Sequence, residues 1–142
     1  MKTYADLHVH SHYSEGAYSI RELLNRAREE AIVGIAVTDH NTIAGVQELL
    51  DQAPRSGIRA ISGIELYTHF ERQPLHVLGY GFDPKNPALN AALDALRKDN
   101  KRATAHAIEA LREQGYVVRD EAITALPSRS FGTIHLLREI EN

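Results

Sequence analysis

The sequence has no cysteine and no tryptophan, a single methionine, and no apolar run near the ~20 residues that span a bilayer. Without cysteine there is no disulfide framework and no thiolate zinc site, which fits a reducing compartment. The start, MKTYADLH, lacks the apolar core of a signal peptide. These absences predict a cytoplasmic protein with no membrane partner. A basic excess is missing as well: the net charge is −3, which argues against a non-specific nucleic-acid binder. Neither Gly-x-Gly-x-x-Gly nor a P-loop pattern occurs, so a nucleotide-binding doubly wound fold has no positive support.

What is present is an ordinary globular composition with one oddity. The chain has 142 residues, 43% hydrophobic and 25% charged, enough for one domain with a real core. Eight histidines are the exception. Three of them, His8, His10 and His12, fall at every second position in the stretch ADLHVHSHYSEG, between Asp6 and Glu15.

Thr3 to Val9 alternates apolar and polar, the pattern of a strand whose polar set, with Asp6 and His8, shares one face. Ser19 and Glu22 form a capping box that opens a helix through IRELLNRAREE. VGIAVTDH reads as a buried parallel strand, and Asn41 or Thr42 is placed to cap a helix running to about Ala53. IRAISGIEL and PLHVLGYGF read as two further strands. From Pro87 to about Gln114 the pattern is helical, and Gly115 terminates it. YVV is short and extended, RDEAITAL is helical, and TIHLLREIEN begins another helix. The expected organisation is a strand and helix portion over 1–85 followed by a mainly helical segment over 86–142. Strands alternating with helices predict an α/β fold with a mainly parallel sheet or barrel.

Position gives the histidines their meaning. His8 and His10 end the first strand, Asp39 and His40 end the second, Glu65 lies in the third and His76 in the fourth. In parallel α/β architectures the carboxyl ends of the strands share one rim, where sites form. Neutral imidazole and carboxylate are ligands for zinc, manganese and iron, and one carboxylate bridges two ions. Without cations, so many ionisable groups in one place would repel one another. Each group has an ordinary alternative. Asp39 is also suited to capping a helix, Glu65 to a buried salt bridge with Arg59 or Arg72, and His76 to the core. His69, His106 and His135 carry the strongest ordinary readings, His69 in a hairpin turn and His106 on a solvated helix face.

Taken in order, these stretches resemble the PHP superfamily, named for polymerase and histidinol phosphatase. Its first motif, roughly D-L-H-x-H-T-x-x-S-D-G, is matched by Asp6-Leu7-His8-Val9-His10-Ser11-His12-Tyr13-Ser14-Glu15-Gly16. Thr38-Asp39-His40-Asn41, Gly63-Ile64-Glu65 and His76 match the later ones. The resemblance implies a partial distorted (β/α) barrel of PHP type around two or three divalent ions (Mn, Zn or Fe). By position, His8 and His10 would hold one metal, which Glu65 bridges to a second taking His76, while Glu15 and His40 hold the third. Asp6 and Asp39 would support the ligands from behind, and His12, Ser14 and His135 are candidates for substrate contact. The implied activity is a metal-dependent phosphoesterase in which a metal-bound hydroxide attacks a nucleotide, an oligonucleotide or a small phosphomonoester. The alternative is a truncated or degenerate module that binds metal without efficient catalysis. Glu15 stands where the family has Asp, which moves the carboxylate outward by about 1.5 Å. The family's late histidine and Asp-x-His pair have no match in Arg119 to Asn142. The expectation is therefore about half of the architecture, completed by a homo-oligomer or by a missing C-terminal region.

Overall fold

The computed structural model describes residues 3–118 and the backbone of 140–141. The elements run β1 (Tyr4–Val9), α1 (Ile20–Glu29), β2 (Ile32–Val37), α2 (Val46–Gln52), a 3₁₀ turn (Ala53–Ser56), β3 (Arg59–Ala60), β4 (Gly63–Phe70), β5 (Gln73–Tyr80), α3 (Pro87–Glu113), β6 (Val117–Val118) and β7 (Ile140–Glu141). β1, β2 and β3 form a parallel sheet in that order, and β4 and β5 an antiparallel hairpin. The α/β class expected from the alternation is what forms.

α1 forms because its sequence specifies both its start and its buried face. The Ser19 side chain accepts the Glu22 backbone N–H while Glu22 returns a bond to the Ser19 backbone, closing the capping box. Ile20, Leu23, Leu24 and Ala27 then fall on one stripe. That stripe packs on Ile35 and Val37 of β2, on Leu49 and Ala53, and on Ile58, forming the main core. The core lies behind the parallel sheet and leaves the carboxyl ends of β1 and β2 free to carry polar side chains.

Four details differ from the sequence expectation. IRAISGIEL is two strands, because Ile61 and Ser62 break the run between β3 and β4. β4 returns as β5 in an antiparallel hairpin whose turn lies beyond His69, so His69 is within the strand and His76 lies opposite Tyr67. The hairpin turns at Glu71 and Arg72, with φ 48° and 66°. Both are left-handed positions that usually announce themselves as Asn-Gly, and nothing in the local composition announces this one. α2 begins at Val46 with no side-chain cap. Asn41 instead accepts the Tyr67 N–H at 3.0 Å, and Thr42 accepts the Ala44 N–H at 3.3 Å. Finally, Ile140–Glu141 is extended where a helix was expected, because it pairs with Val117–Val118. Strand pairing there overrides the local helical pattern. The expected helix over RDEAITAL, the first part of TIHLLREIEN, and His135 lie outside the described residues.

α3 starts where Asn86 accepts the N–H groups of Ala88 and Leu89 at 2.9 and 3.1 Å, with Pro87 at the first helical position. It ends before Gly115, whose φ of 90° suits glycine. Only Leu93 and Ile108 of its side chains are buried. No helix among the described residues is long and apolar enough to cross a membrane.

Candidate metal centre

Two glycines let the site close. β4 crosses the end of β2 at Gly63, where a Cβ would stand 2.7 Å from the Val37 carbonyl oxygen and 2.9 Å from the Thr38 methyl. Any larger residue would push β4 away. This close passage brings Glu65 beside His40: the Glu65 N–H donates to the Asp39 carbonyl at 3.2 Å and the Asn41 N–H to the Glu65 carbonyl at 2.8 Å. The loop after β1 folds back on itself at Gly16, where a Cβ would lie 2.2 Å from the His10 carbonyl oxygen. That fold returns Glu15 to His10.

Glu65 is the hub, its side chain almost wholly buried. Its Oε2 lies 2.9 Å from His8 Nε2, 3.2 Å from His10 Nε2 and 3.5 Å from His40 Nδ1, and its Oε1 lies 2.7 Å from His76 Nδ1. No arginine is among these partners, so the salt-bridge alternative with Arg59 or Arg72 is not the one adopted. Glu15 forms a second focus, its Oε1 3.1 Å from both His10 Nδ1 and His40 Nε2. The added methylene relative to aspartate therefore still reaches both rings. Depth is graded: the His8 and His76 side chains are half exposed at 49% and 50%, while His40 is 10% and Glu65 4% exposed. Glu65 and His40 form the floor, His8 and His76 the mouth.

These side chains fit a divalent cation on their own geometry. Ligands at 2.0–2.2 Å from one zinc-like ion stand roughly 3.0–3.5 Å apart in tetrahedral or octahedral order. The His–Glu separations, 2.7 to 3.5 Å, straddle that range. His10 Nδ1 and His40 Nδ1 are buried and, among the described residues, make no hydrogen bond although carboxylate oxygens are near; His12 Nδ1, outside the cluster, is unpaired as well. Close approach without hydrogen-bond geometry is what lone pairs aimed at a shared cation produce, and buried polar atoms otherwise find partners. Three sets have donor atoms mutually within 4.8 Å: His8, His10 and Glu65; His10, Glu15 and His40; and His40, Glu65 and His76.

The charges agree. Burial pushes the Glu15 carboxyl up, but the hydrogen bond from His40 and the charges of His10 and His40 outweigh it and lower it to about 2. For Glu65 burial again acts upward, and His8, His40 and His76 together hold the carboxyl below its ordinary value. Both groups stay ionised, as metal-ligating carboxylates must.

The remaining predicted residues fall as follows. Asp6 accepts the backbone N–H of His8 at 3.2 Å, and Asp39 binds Ser11 and Ser14. Ser14 is buried, with its hydroxyl on Asp39 at 2.6 Å. His12 packs on the Tyr13 ring at 4.3 Å and joins none of the three sets. His69 lies within β4 rather than in the turn, and both it and His106 are exposed. Sequence reasoning missed Tyr67. Its ring stacks on His40 at 4.2 Å and 20° and meets His76 edge-on at 4.5 Å. Burial and the charges of Glu15 and Glu65 push its hydroxyl up to about 12, so it remains a donor. The signal was there: Tyr67 follows Glu65 by two on one strand and so shares its face.

A centre of four imidazoles and two carboxylates, carried at the ends of β1 and β2 and on one hairpin, defines a metal-dependent class of protein. The chain belongs to the PHP domain family, whose model matches residues 6–126. It is 39% identical over 93 residues, 66% of its length, to a 3',5'-nucleoside bisphosphate phosphatase of Chromobacterium violaceum, covering 33% of that protein. It is 31% identical over 133 residues to a 5'-3' exoribonuclease of Haemophilus influenzae, covering 94% of this chain and 48% of the relative. Among solved structures, a C. violaceum amidohydrolase with bound sulfate and no metal superposes with a TM-score of 0.85 at 29% identity, over 95% of this chain and 48% of the other. A Bifidobacterium adolescentis protein described as a candidate metal-dependent phosphoesterase gives 0.86 at 25% identity, over 98% and 50%. The chain thus spans between a third and about half the length of these relatives.

Proposed function

We propose that this chain carries the larger share of a divalent-metal phosphoesterase centre acting on phosphate esters of the nucleotide, oligonucleotide or small phosphomonoester type. The observation that carries the reading is Glu65, whose two oxygens face different imidazoles, His8 and His10 on one side and His76 on the other. A carboxylate so divided is built to bridge two cations.

The three sets overlap: they use Glu65 twice, which its two oxygens allow, but also His10 and His40 twice, so not all three can be complete at once. His10 and His40 each face both glutamates, yet a neutral ring has one lone pair to give. One distribution that uses no atom twice, the one the family resemblance implies, gives His8, His10 and Glu65 to one ion, Glu65 and His76 to a second, and Glu15 and His40 to a third. The second and third then keep open positions for substrate or for ligands from elsewhere. Manganese, zinc and iron all suit this donor set. When bound, such cations supply Lewis-acid polarisation of phosphoryl oxygens and an acidified water.

The chain's own residues do the positioning. The half-exposed mouth at His8 and His76 sets the direction of substrate approach. Tyr67, protonated and stacked on His40, offers a neutral donor there. Asp6, through the His8 N–H, steadies the mouth, and the backbone of Asp39 and Asn41 holds the floor through Glu65. The names of similar proteins, a 3',5'-nucleoside bisphosphate phosphatase and a 5'-3' exoribonuclease, support the substrate class. A second reading, a module that holds cations without efficient turnover, is motivated by the two-residue ligation of the second and third positions. A homo-oligomer or a further stretch of chain would complete the barrel in either case.

The test is hydrolysis by purified protein supplied with manganese. Phosphate release from nucleotides or p-nitrophenyl phosphate is expected, abolished by chelator and lowered by His8→Ala. Turnover indifferent to chelator would contradict the phosphoesterase reading, and cation uptake without turnover on a broad phosphoester panel would favour the second.

A further inference from the structure

Among the candidate ligands, Glu15 lies farthest along the chain from any strand: His10 directly follows β1, and His40 is bridged to Glu65, whereas Glu15 is six residues past Val9. It sits in the loop between β1 and α1, yet its Oε1 lies 3.1 Å from both His10 and His40. Something must hold that loop. Asp39 has its carboxylate buried under it, 2% exposed. Its Oδ1 accepts the Ser11 N–H at 2.7 Å and the Ser14 hydroxyl at 2.6 Å, and its Oδ2 accepts the Ser11 hydroxyl at 2.6 Å. Ser11 and Ser14 are themselves buried at 0% and 4%. The Ser11 carbonyl then takes the N–H groups of Ser14 and Gly16, each at 3.0 Å, so the turn closes on either side of Glu15. None of the imidazoles is among the hydrogen-bond partners of Asp39 in the described residues.

We propose that Asp39 is the positioning residue of the Glu15–His40 cation position, acting through Ser11 and Ser14 rather than through a ligand ring. One dipeptide, Asp39-His40, thereby sets both ligands of that position. Its second member supplies the imidazole; its first clamps the loop that brings the carboxylate. Charge-assisted hydrogen bonds from three donors onto one buried carboxylate are short and strong. Removing the carboxylate leaves three buried donors unpaired, and the loop must relax to reach other partners. The cation held through His8, His10 and the Glu65 bridge takes its ligands from β1, from the first residue after it and from β4, and so depends less on the turn from Ser11 to Gly16. This inference rests on the metal-centre reading above.

Two measurements on the full chain test it. Manganese stoichiometry is compared for the unaltered protein, Glu15→Ala, Asp39→Ala, Ser14→Ala and the double variant Glu15→Ala/Asp39→Ala. Glu15→Ala and Asp39→Ala are expected to lose the same manganese equivalent, and the double variant no more than either. Ser14→Ala is expected to bind that equivalent about 10-fold more weakly, in the range of an outer-shell change. Hydrogen exchange at the Ser14 and Gly16 amides is followed in parallel without metal and should accelerate in Asp39→Ala. If that variant does not fold, Ser14→Ala carries both readouts. Retention of the Glu15-dependent equivalent in the variant, a greater loss in the double variant, or unchanged exchange at Ser14 and Gly16 would each overturn the clamp. Unaltered protein that takes up no manganese would instead overturn the metal-centre reading, an outcome the exchange measurement keeps separate.

Discussion

The end of β2 and the long helix α3 are built on opposite plans. Thr38 to Thr42 is a continuous run of buried polar residues, joined on one side to the Ser11–Gly16 loop and on the other to Glu65. α3 is 27 residues long and buries only two of them, and its charged residues pair along its own surface, Arg97 with Asp94 and Arg102 with Asp99. A buried polar run is costly unless every group finds a partner. A solvated helix is cheap and holds little in place. The sequence therefore commits its expensive interactions to the few residues that aim Glu15, His40 and Glu65, and leaves α3 tolerant.

The contrast sharpens under substitution. Glu65→Gln should have the largest effect on cation binding, exceeding the roughly 10–100-fold cost of an outer-shell change, because it removes the hub of four imidazoles. Titration with manganese or zinc checks it. Next is Gly63→Ala, whose methyl would meet the Val37 carbonyl. About 1–3 kcal/mol of destabilisation is expected in urea denaturation, as for other overpacked sites, with weakened cation uptake as β4 shifts. Ala92→Gly on the exposed side of α3 should cost ~1 kcal/mol and leave cation uptake unchanged. Smallest is Arg102→Ala, which breaks an exposed intrahelical pair with Asp99 and should stay within about 0.5 kcal/mol.

Acid should separate the two regions as well. Glu15 is lowered from 4.5 to about 2 in the folded metal-free chain. Between those values the unfolded chain binds the proton more readily, so folding stability rises with pH across the window. The contribution is complete above 4.5 and lost as pH falls towards 2. Denaturant titrations in chelator should show a shallower acid limb for Glu15→Gln than for the unaltered protein.

Much of this was legible in the residues. Period two in the first strand, the capping box at Ser19 and the limits of α3 at Pro87 and Gly115 are local signals, and local signals set those elements. The cluster was legible in part because His8, His10 and His40 lie at or just past strand ends; the structure brings them together with Glu15, Glu65 and His76, which lie in a loop, early in β4 and within β5. The turn of the hairpin was misplaced at His69 because Glu71 and Arg72 adopt left-handed backbone without glycine or asparagine. The serine partners of Asp39 were hidden because hydrogen bonds to residues 25 and 28 positions away leave no local pattern. Asn41 looked like a helix cap for the same reason: an amide that serves a distant strand has the composition of one that serves the next helix.

The most direct measurement of the central claim is anomalous diffraction at the manganese or zinc edge from crystals of this chain grown with that ion. Peaks within coordination distance of both Glu65 oxygens, flanked by His8 and His10 on one side and His76 on the other, are predicted. A map with no peak there, or with Glu65 drawn away to a cationic side chain, would contradict it.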